Sequence, residues 1–334
     1  NFCHTSFFSK NIFFCFFPGL FRSTDNGQTW NHIDYGTLAT STQALLINPE
    51  GDIFAAVTGI VIRSTDDGQT WSGINYGIQG DVLSFAINSQ GKIFAGTDYY
   101  GLFISTDNGN NWTQIYYSPD FTHFTSIAIN SNGNIFASSY FGGGVFRSTD
   151  DGNSWVRVIN GLSETNVLAV TIDSEENVFA GTYGGGIFCS TDNGNNWVQK
   201  NNGLTKPYVR TMTHFDGDVF AGTYGGGGIF RSGNGGNEWT QINSGLANSD
   251  VRSFAINNVG NIFAGTNDFG AFRSTDNGDS WIQINNGLAR NDIRTLATKS
   301  DSIIFAGTYE GIFRSIDNGE NWIQKGLDNK SIYC

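Results

Sequence analysis

Short apolar runs alternate with clusters of Gly, Asn and Asp along the chain, and residues 250–286 show the unit most clearly. There "DVRSFAIN", "GNIFAGT", "GAFRST" and "SWIQIN" read as four strands, joined by "NVG", "NDF" and "DNGD" and followed by "NGLARN". All the connections are rich in residues that suit tight turns. Runs such as Phe254-Ala255-Ile256 and Ile262-Phe263-Ala264 are apolar at consecutive positions, so both faces of their sheet must be covered. No run is long enough for a helix before Gly or Asn breaks it. The pattern predicts an all-β chain of small four-stranded antiparallel sheets, each sandwiched between neighbours.

The tryptophans set the period. Trp30, Trp71, Trp112, Trp155, Trp197, Trp239, Trp281 and Trp322 recur every 41–43 residues. That spacing, with four short strands per copy, indicates a β-propeller with one blade per repeat. The chain reads as a single propeller domain over 1–334, with repeats at roughly 1–40, 41–80, 81–121, 122–164, 165–206, 207–248, 249–290 and 291–334. Aligning "KNIFFCFFPGLFRSTDNG" with "SIIFAGTYEGIFRSIDNG" places Phe13 on Phe305 and Phe21 on Phe313 without a gap. Residues 1–18 are therefore expected to hold the first and second strands of a degraded first repeat. At the other end "KGLDNKSIYC" follows the linker pattern of "NNGLARNDIRT", and Cys334 falls at the repeat position of Cys3. Eight blades fit the chain, and seven, with the poor first copy outside the ring, is the alternative. Either way the two ends meet at one seam, where Ser331 to Cys334 offer only a short clasp. A Cys3–Cys334 disulfide would staple that seam; unpaired thiols are the other reading.

Each Trp closes the phrase Ser-Thr-Asp-Asn-Gly-x-x-Trp, as in "GLFRSTDNGQTW" over 19–30. The phrase resembles the Asp-box, or BNR repeat, of sialidases, sortilin-type receptors, some xyloglucan hydrolases and photosystem assembly factors, and the resemblance spans the whole chain. Seven copies keep the aspartate, at Asp25, Asp66, Asp107, Asp150, Asp192, Asp276 and Asp317, and the sixth carries Asn234. An Asp side chain at a turn accepts backbone N–H bonds, a Gly two residues on accepts positive φ, and the Trp buries a ring whose N–H seeks an acceptor. These residues are expected to staple the third strand to the fourth. One carboxylate per turn is a poor cage for a hard cation. Equivalent carboxylates in adjacent blades stand too far apart to share acid–base work.

Chemistry is expected on the opposite face, where second-to-third strand connections meet the blade-to-blade links. Those connections carry Tyr99, Tyr100, Tyr140, Phe141, Tyr183, Tyr224, Phe269 and Tyr309 beside glycines. Such rings are stacking platforms for a sugar or a peptide, or each simply covers the end of its own hairpin. A sialidase would need converging arginines, but Arg22, Arg63, Arg147, Arg231, Arg273 and Arg314 all follow the third-strand apolar residue and are spread by the repeat. Arg210, Arg252 and Arg294 share another repeat position. Asp81, Asp250 and Asp292 recur at one linker position, as capping residues do. Glu164, Glu175, Glu176, Glu310 and Asp120 are less periodic and show no evident partner. His4, His32, His123 and His214 form no triad with Ser or Cys. No catalytic residue, metal site or cofactor is assigned.

Composition narrows the partners. The net charge of −12 gives no basic field for nucleic acid or an anionic membrane surface. No stretch supplies the ~20 unbroken apolar residues of a membrane helix. The opening "NFCHTSFFSKNIFFCFFPG" lacks the basic start and small-residue cleavage site of a signal peptide. Cys3, Cys15, Cys189 and Cys334 show neither CxxC nor zinc spacing. The sequons at Asn111 and Asn329 are no more than so many Asn residues give by chance. The expected molecule is a non-enzymatic extracellular or cell-surface binding or scaffold module, with a carbohydrate or protein ligand. A carbohydrate-active hydrolase is the alternative.

Overall fold

In a computed structural model the described residues are 12–16, 19–23, 31–33, 42–57, 59–65, 72–121, 123–247, 250–288, 291–298, 301–308 and 311–324. They are all β. Antiparallel sheets follow one another over 12–33, 42–73, 82–116, 124–157, 167–199, 209–241, 251–283 and 293–324. The first has three described strands and each of the others has four, hydrogen-bonded in chain order. From the second sheet onward, first strands of consecutive sheets lie against one another, so they are the inner edge of propeller-like blades. The first sheet's leading described strand, Ile12–Phe16, pairs with Gly19–Ser23 and takes the second-strand place expected from the alignment. Residues 1–11 and 325–334, with Cys3, Cys334 and the seam, lie outside the described residues.

Apolar runs become strands covered on both faces. The second strands Ile93–Thr97, Ile135–Ser139, Val178–Thr182 and Ile262–Thr266 are buried at every position. The core is correspondingly divided among the gaps between sheets. Phe54 and Ala56 of the second sheet pack with Phe85, Phe103 and Trp112 of the third, and Phe136 and Val145 of the fourth with Val178, Phe188 and Trp197 of the fifth. Burying each such Phe contributes about 1.5–3 kcal/mol. The Gly of "FAGT" follows from this closeness: at Gly265 a Cβ would come within 2.6 Å of Ile293 on the next sheet.

Every described first strand from the second sheet on also carries a register shift at its second residue. The extra residues are Gln43, Leu83, Thr125, Leu168, Arg210, Arg252 and Arg294. Such bulges re-aim a side chain out of the ladder.

The Asp-box turns are closed hydrogen-bond loops. In the fifth sheet Ser190 Oγ donates to Asp192 Oδ1 at 2.8 Å and accepts the Gly194 N–H at 2.7 Å. Asp192 accepts the Asn196 N–H on Oδ1 and the Asn196 amide on Oδ2. The same pattern repeats at Asp107, Asp150, Asp276 and Asp317. Asn234 keeps the first half of it, its Oδ1 accepting the Glu238 N–H at 3.0 Å. Asp25, Asp66, Trp30 and Trp71 lie outside the described residues. Third-strand arginines tie four of the boxes to the sheet before: Arg63, Arg147, Arg231 and Arg273 donate to the carbonyls of Asn108, Asn193, Asn277 and Asn318.

The box tryptophans join sheet to sheet. Trp112, Trp197, Trp281 and Trp322 are buried, and each indole N–H donates to a carbonyl of the preceding sheet's end, at Ile74, Val158, Ile242 and Ile284. Their backbone N–H groups donate to Tyr76, Asn160, Ser244 and Asn286 in the preceding linker. The next linker residue is Gly77, Gly161, Gly245 or Gly287, at positive φ, where a Cβ would stand 2.1 Å from the Trp carbonyl. Trp239 is buried in the same way but its Nε1 has no hydrogen-bond partner. Trp155 departs from the expected role. It is half-buried, and its indole N–H donates to Gly152 of its own turn at 3.1 Å. The linker before it reads Tyr116-Tyr117-Ser118-Pro119 where three others read Asn-Gly-Leu, at 160–162, 202–204 and 286–288. Tyr116 and Phe121 fill that joint against Phe146 at 4.8 and 5.7 Å between ring centres.

Two predictions follow from these turns. Gly203 has φ +83 and a Cβ there would sit 2.0 Å from the Trp239 carbonyl, whereas Gly217 has φ +84 and open space. Gly203→Ala should lower stability in urea unfolding by about 3 kcal/mol, and Gly217→Ala by only the left-handed strain of about 1–2 kcal/mol. At the boxes, hydrogen bonds hold the carboxyls of Asp107, Asp150, Asp192 and Asp276 below the usual range, led by the side chains of Asn111, Ser154, Asn196 and Ser280. A depressed carboxyl contributes stability that is full above the unfolded value of about 3.9 and is lost as pH falls through the folded values. Asp192→Ala should therefore lower the melting temperature at neutral pH, less so in acid, and by more than Asp192→Asn, in thermal melts at several pH values.

Candidate functional site

The face opposite the boxes is organised by the residue just before each first strand: Asp81, His123, Asn166, Tyr208 and Asp250. Its carbonyl accepts the N–H of the loop residue in its own sheet, Asp98, Tyr140, Tyr183, Tyr224 or Asn267, at 2.8–3.1 Å. Its side chain reaches back to the preceding sheet's loop. Asp81 accepts the Gly59 N–H at 2.7 Å, Asn166 the Gly142 N–H at 3.0 Å, and Asp250 those of Gly225 and Gly226. Asp81 and Asp250 are thus caps, as their periodicity implied.

At His123 and Tyr208 a ring replaces that amide or carboxylate acceptor, and a site forms around these two. His123 Nε2 stands 2.7 Å from Asp98 Oδ1. Its ring meets Tyr99 at 4.7 Å and Phe141 at 4.4 Å, both edge to face. Phe141 lies 4.7 Å from Tyr140, Tyr140 5.9 Å from Tyr183, and Tyr183 5.1 Å from Tyr208. Six rings from four consecutive sheets therefore form one unbroken arc. Its members stay accessible: Tyr99 is 59% exposed, Phe141 51%, Tyr183 44% and Tyr208 39%. Offset and edge-to-face contacts of this kind stabilise each pair by ~0.5–1.5 kcal/mol and hold the rings in place. Arg157 supports the loop from below, donating to Gly142 and Gly143 carbonyls at 2.8 and 2.7 Å and lying over the Phe121 ring.

The other rings named from sequence stand apart from the arc. A Cβ on Gly80 would come within 2.5 Å of the Tyr100 ring, so Tyr100 covers its own neighbourhood. Tyr224 and Phe269 are exposed on the sixth and seventh sheets. Tyr309 lies outside the described residues. The sequence reading missed His123 and Tyr208 because they sit in linkers. The available signal was that they replace an Asp or Asn at a repeat position.

Carboxylates near the arc are engaged. Glu164 Oε1 accepts both N–H groups of Asn166 at 2.8 Å. Burial raises the Asp98 carboxyl above its ordinary range, opposed by His123 and assisted by Asp81. Burial likewise holds the His123 imidazole below its ordinary value, against the pull of Asp98. Elsewhere Glu176 accepts the Ser131 N–H at 3.2 Å, and burial pushes the Cys189 thiol up to about 12. Among the described residues no group of three or more His, Cys, Asp or Glu is placed to hold a metal ion, and no helix is long and apolar enough to cross a membrane. On the box face, a polar groove beside Asn234 holds an ion pair of Arg231 with Asp279 at 2.7 Å.

Residues 1–218 match the family described as photosynthesis system II assembly factor YCF48. The chain belongs to this BNR-repeat propeller family. A search of curated proteins returns no match. Among solved structures, the extracellular domain of a putative hybrid two-component system from B. thetaiotaomicron is similar at TM-score 0.65 and 18% identity, covering 86% of this chain and 40% of that one. The present chain thus spans well under half of that relative. YCF48 bound to a D1 peptide matches at TM-score 0.56 and 16% identity, covering 74% of this chain and 84% of that one. A GH74 enzyme from Niastella koreensis matches at TM-score 0.55 and 14% identity, covering 94% and 66%. At these identities the structural likenesses establish the fold alone.

The dyad gives a checkable titration. A histidine lowered in the fold takes up its proton below the pH at which the unfolded chain does, so its contribution to stability is full above about 6.5 and lost as pH falls to the folded value. NMR should place the His123 midpoint below about 6.5. Because Asp98 pulls it upward, Asp98→Asn should move that midpoint lower still, and a rise would contradict the assignment.

Proposed function

We propose that this chain is a non-enzymatic binding module, a single eight-bladed propeller over 1–334, whose loop face takes an extended peptide segment of a protein partner. The observation that carries the reading is the arc of Tyr99, His123, Phe141, Tyr140, Tyr183 and Tyr208, four of its rings exposed and all six fixed ring against ring. Fixed aromatics lose little side-chain freedom on binding, which makes them effective anchors. The arc is about four blades long, so it suits a strand-like ligand better than a compact one. Membership of the YCF48 family and the D1 peptide held by the YCF48 structure favour a peptide over a glycan. Tyr100, Tyr224 and Phe269 extend the same face, and Tyr309 is assigned there by its repeat position. The extracellular relative from B. thetaiotaomicron favours an extracellular or surface location.

The hydrolase alternative needs two carboxyl groups facing one bond. Asp98 and Glu164, the acids beside the arc, are held by His123 and Asn166. That disposition favours binding over turnover.

A displayed peptide library and a glycan array, probed with the whole chain, separate the readings. Selected peptides should lose about tenfold or more in affinity with Tyr183→Ala or Phe141→Ala, which is about 1.4 kcal/mol per decade. Product released from xyloglucan or an aryl glycoside, and abolished by Glu164→Gln or Asp98→Asn, would replace the binding module with an enzyme.

A further inference from the structure

The loop of the fifth sheet carries Gly184 and Gly185, and the side chains over them come from two different linkers. A side chain starting at Gly184 would begin 3.6 Å from Tyr208 Cε1 and 3.9 Å from Glu164 Oε2, so one point beside the loop is in reach of both a ring and a carboxylate oxygen. Tyr183 completes the corner. Its ring meets that of Tyr208 at 5.1 Å and 67°, and a β-bridge joins the two backbones. Both rings are exposed and Glu164 is half-buried. The carboxylate is held but only half used. Its Oε1 accepts the backbone N–H and the side-chain amide of Asn166, both at 2.8 Å, and its stem lies over Gly185, leaving a Cβ there no room. These contacts fix the group, yet Oε2 has no hydrogen-bond or ion-pair partner among the described residues.

The fold does not require an acid at this place. The next repeat carries Lys206 there, with its stem over Gly227 in the same posture, and the two after it carry Asn248 and Arg290. An exposed tyrosine ring attracts a cation through its quadrupole, and a fixed carboxylate oxygen accepts a charge-assisted hydrogen bond from an ammonium or guanidinium group. The corner offers both at one point. A neutral side chain would use the rings and leave the oxygen to water, and an acidic one would be repelled by it.

We propose that Tyr183, Tyr208 and Glu164 form a subsite for a cationic side chain, lysine or arginine, of the partner segment. The proposal rests on the peptide reading of the arc and names the residue type that this end of the arc selects. The rings and the carboxylate are set before binding, so little ordering is left for the complex to impose. The net charge of −12 draws a basic segment towards the chain, and the corner gives one of its charged groups a defined place.

Titration of the whole chain with n-butylammonium, the stem and head of a lysine, and with n-butanol, its neutral counterpart, tests this with the tyrosine rings followed by NMR at constant ionic strength. The ammonium should shift the Tyr183 and Tyr208 ring signals saturably, and the alcohol should bind at least about threefold more weakly. Glu164→Gln, which keeps an oxygen for Asn166, should weaken the ammonium about threefold or more. Glu164→Lys, the residue the next repeat already carries, should remove the binding while circular dichroism stays that of the parent. Lys92→Gln on the box face should leave it within about twofold. Peptides selected by the arc should be enriched in Lys or Arg and lose about threefold or more in affinity with Glu164→Gln. Ammonium and alcohol binding alike, or selected peptides that need Tyr183 and Phe141 yet bind Glu164→Lys as well as the parent, would overturn the subsite and leave the peptide reading standing. Ammonium binding with no peptide selected would keep the cation subsite and overturn the peptide reading.

Discussion

A small sheet that is apolar on both faces cannot stand in water alone, and everything else in this chain follows from that constraint. Each sheet needs a neighbour on either side, and the contact has to be the same at every joint if one short sequence is to be repeated. The box tryptophan meets this need by covering the gap with its ring while its N–H reaches the carbonyl of the sheet before. The hydrogen bond matters because the ring would otherwise bury an unmade donor. The Asp and Ser of the box then close the turn that carries the tryptophan, and the third-strand arginine fixes that turn to its neighbour. In the described boxes most of these hydrogen bonds are made within the fold, the Trp239 indole N–H excepted.

Function in such a molecule is to be sought where the repeat fails. The joint between the third and fourth sheets lacks the Asn-Gly-Leu linker, and Trp155 turns back on its own loop there. His123 starts the next strand where its equivalents are Asp, Asn or Tyr, and an exposed run of rings begins at that point. Glu164 is a second departure on the same face, an acid where the later repeats carry Lys206, Asn248 and Arg290. One departure is apolar and aromatic and the other is anionic, so the loop face is chemically divided although its backbone is nearly uniform.

The balance of forces differs between the two faces. On the box face the described ion pairs include Lys92 with Asp151 and Arg273 with Glu320, and such exposed pairs add little beyond holding their loops. On the loop face burial outweighs pairing: His123, Asp98 and Arg210 all shift in the direction that desolvation drives them. The box carboxyls shift too, but downward and through hydrogen bonds within their own turns, so the two faces differ in the cause of the shift.

Much of this was legible in the residues. The forty-odd-residue period, the two-sided apolar runs and the box phrase specified the sheets, their strand order and the inward tryptophans, because those features depend on local turn chemistry and on burial that every copy shares. The arc was legible only in part. Tyr99, Tyr140, Phe141 and Tyr183 could be picked out by loop position, but His123 and Tyr208 belong to linkers, and ring-to-ring contact between sheets has no signature in a one-dimensional pattern. Trp155 looked like its seven counterparts, since what redirects it is the linker of the preceding repeat. Likewise Glu164 and Tyr208, in successive linkers, came to flank one point only when one sheet was laid against the next. Sequence alone determined what each repeat is, because that is set within about forty residues; tertiary structure alone decided which exceptions meet, because packing one sheet on the next joins positions that the chain keeps a full repeat apart.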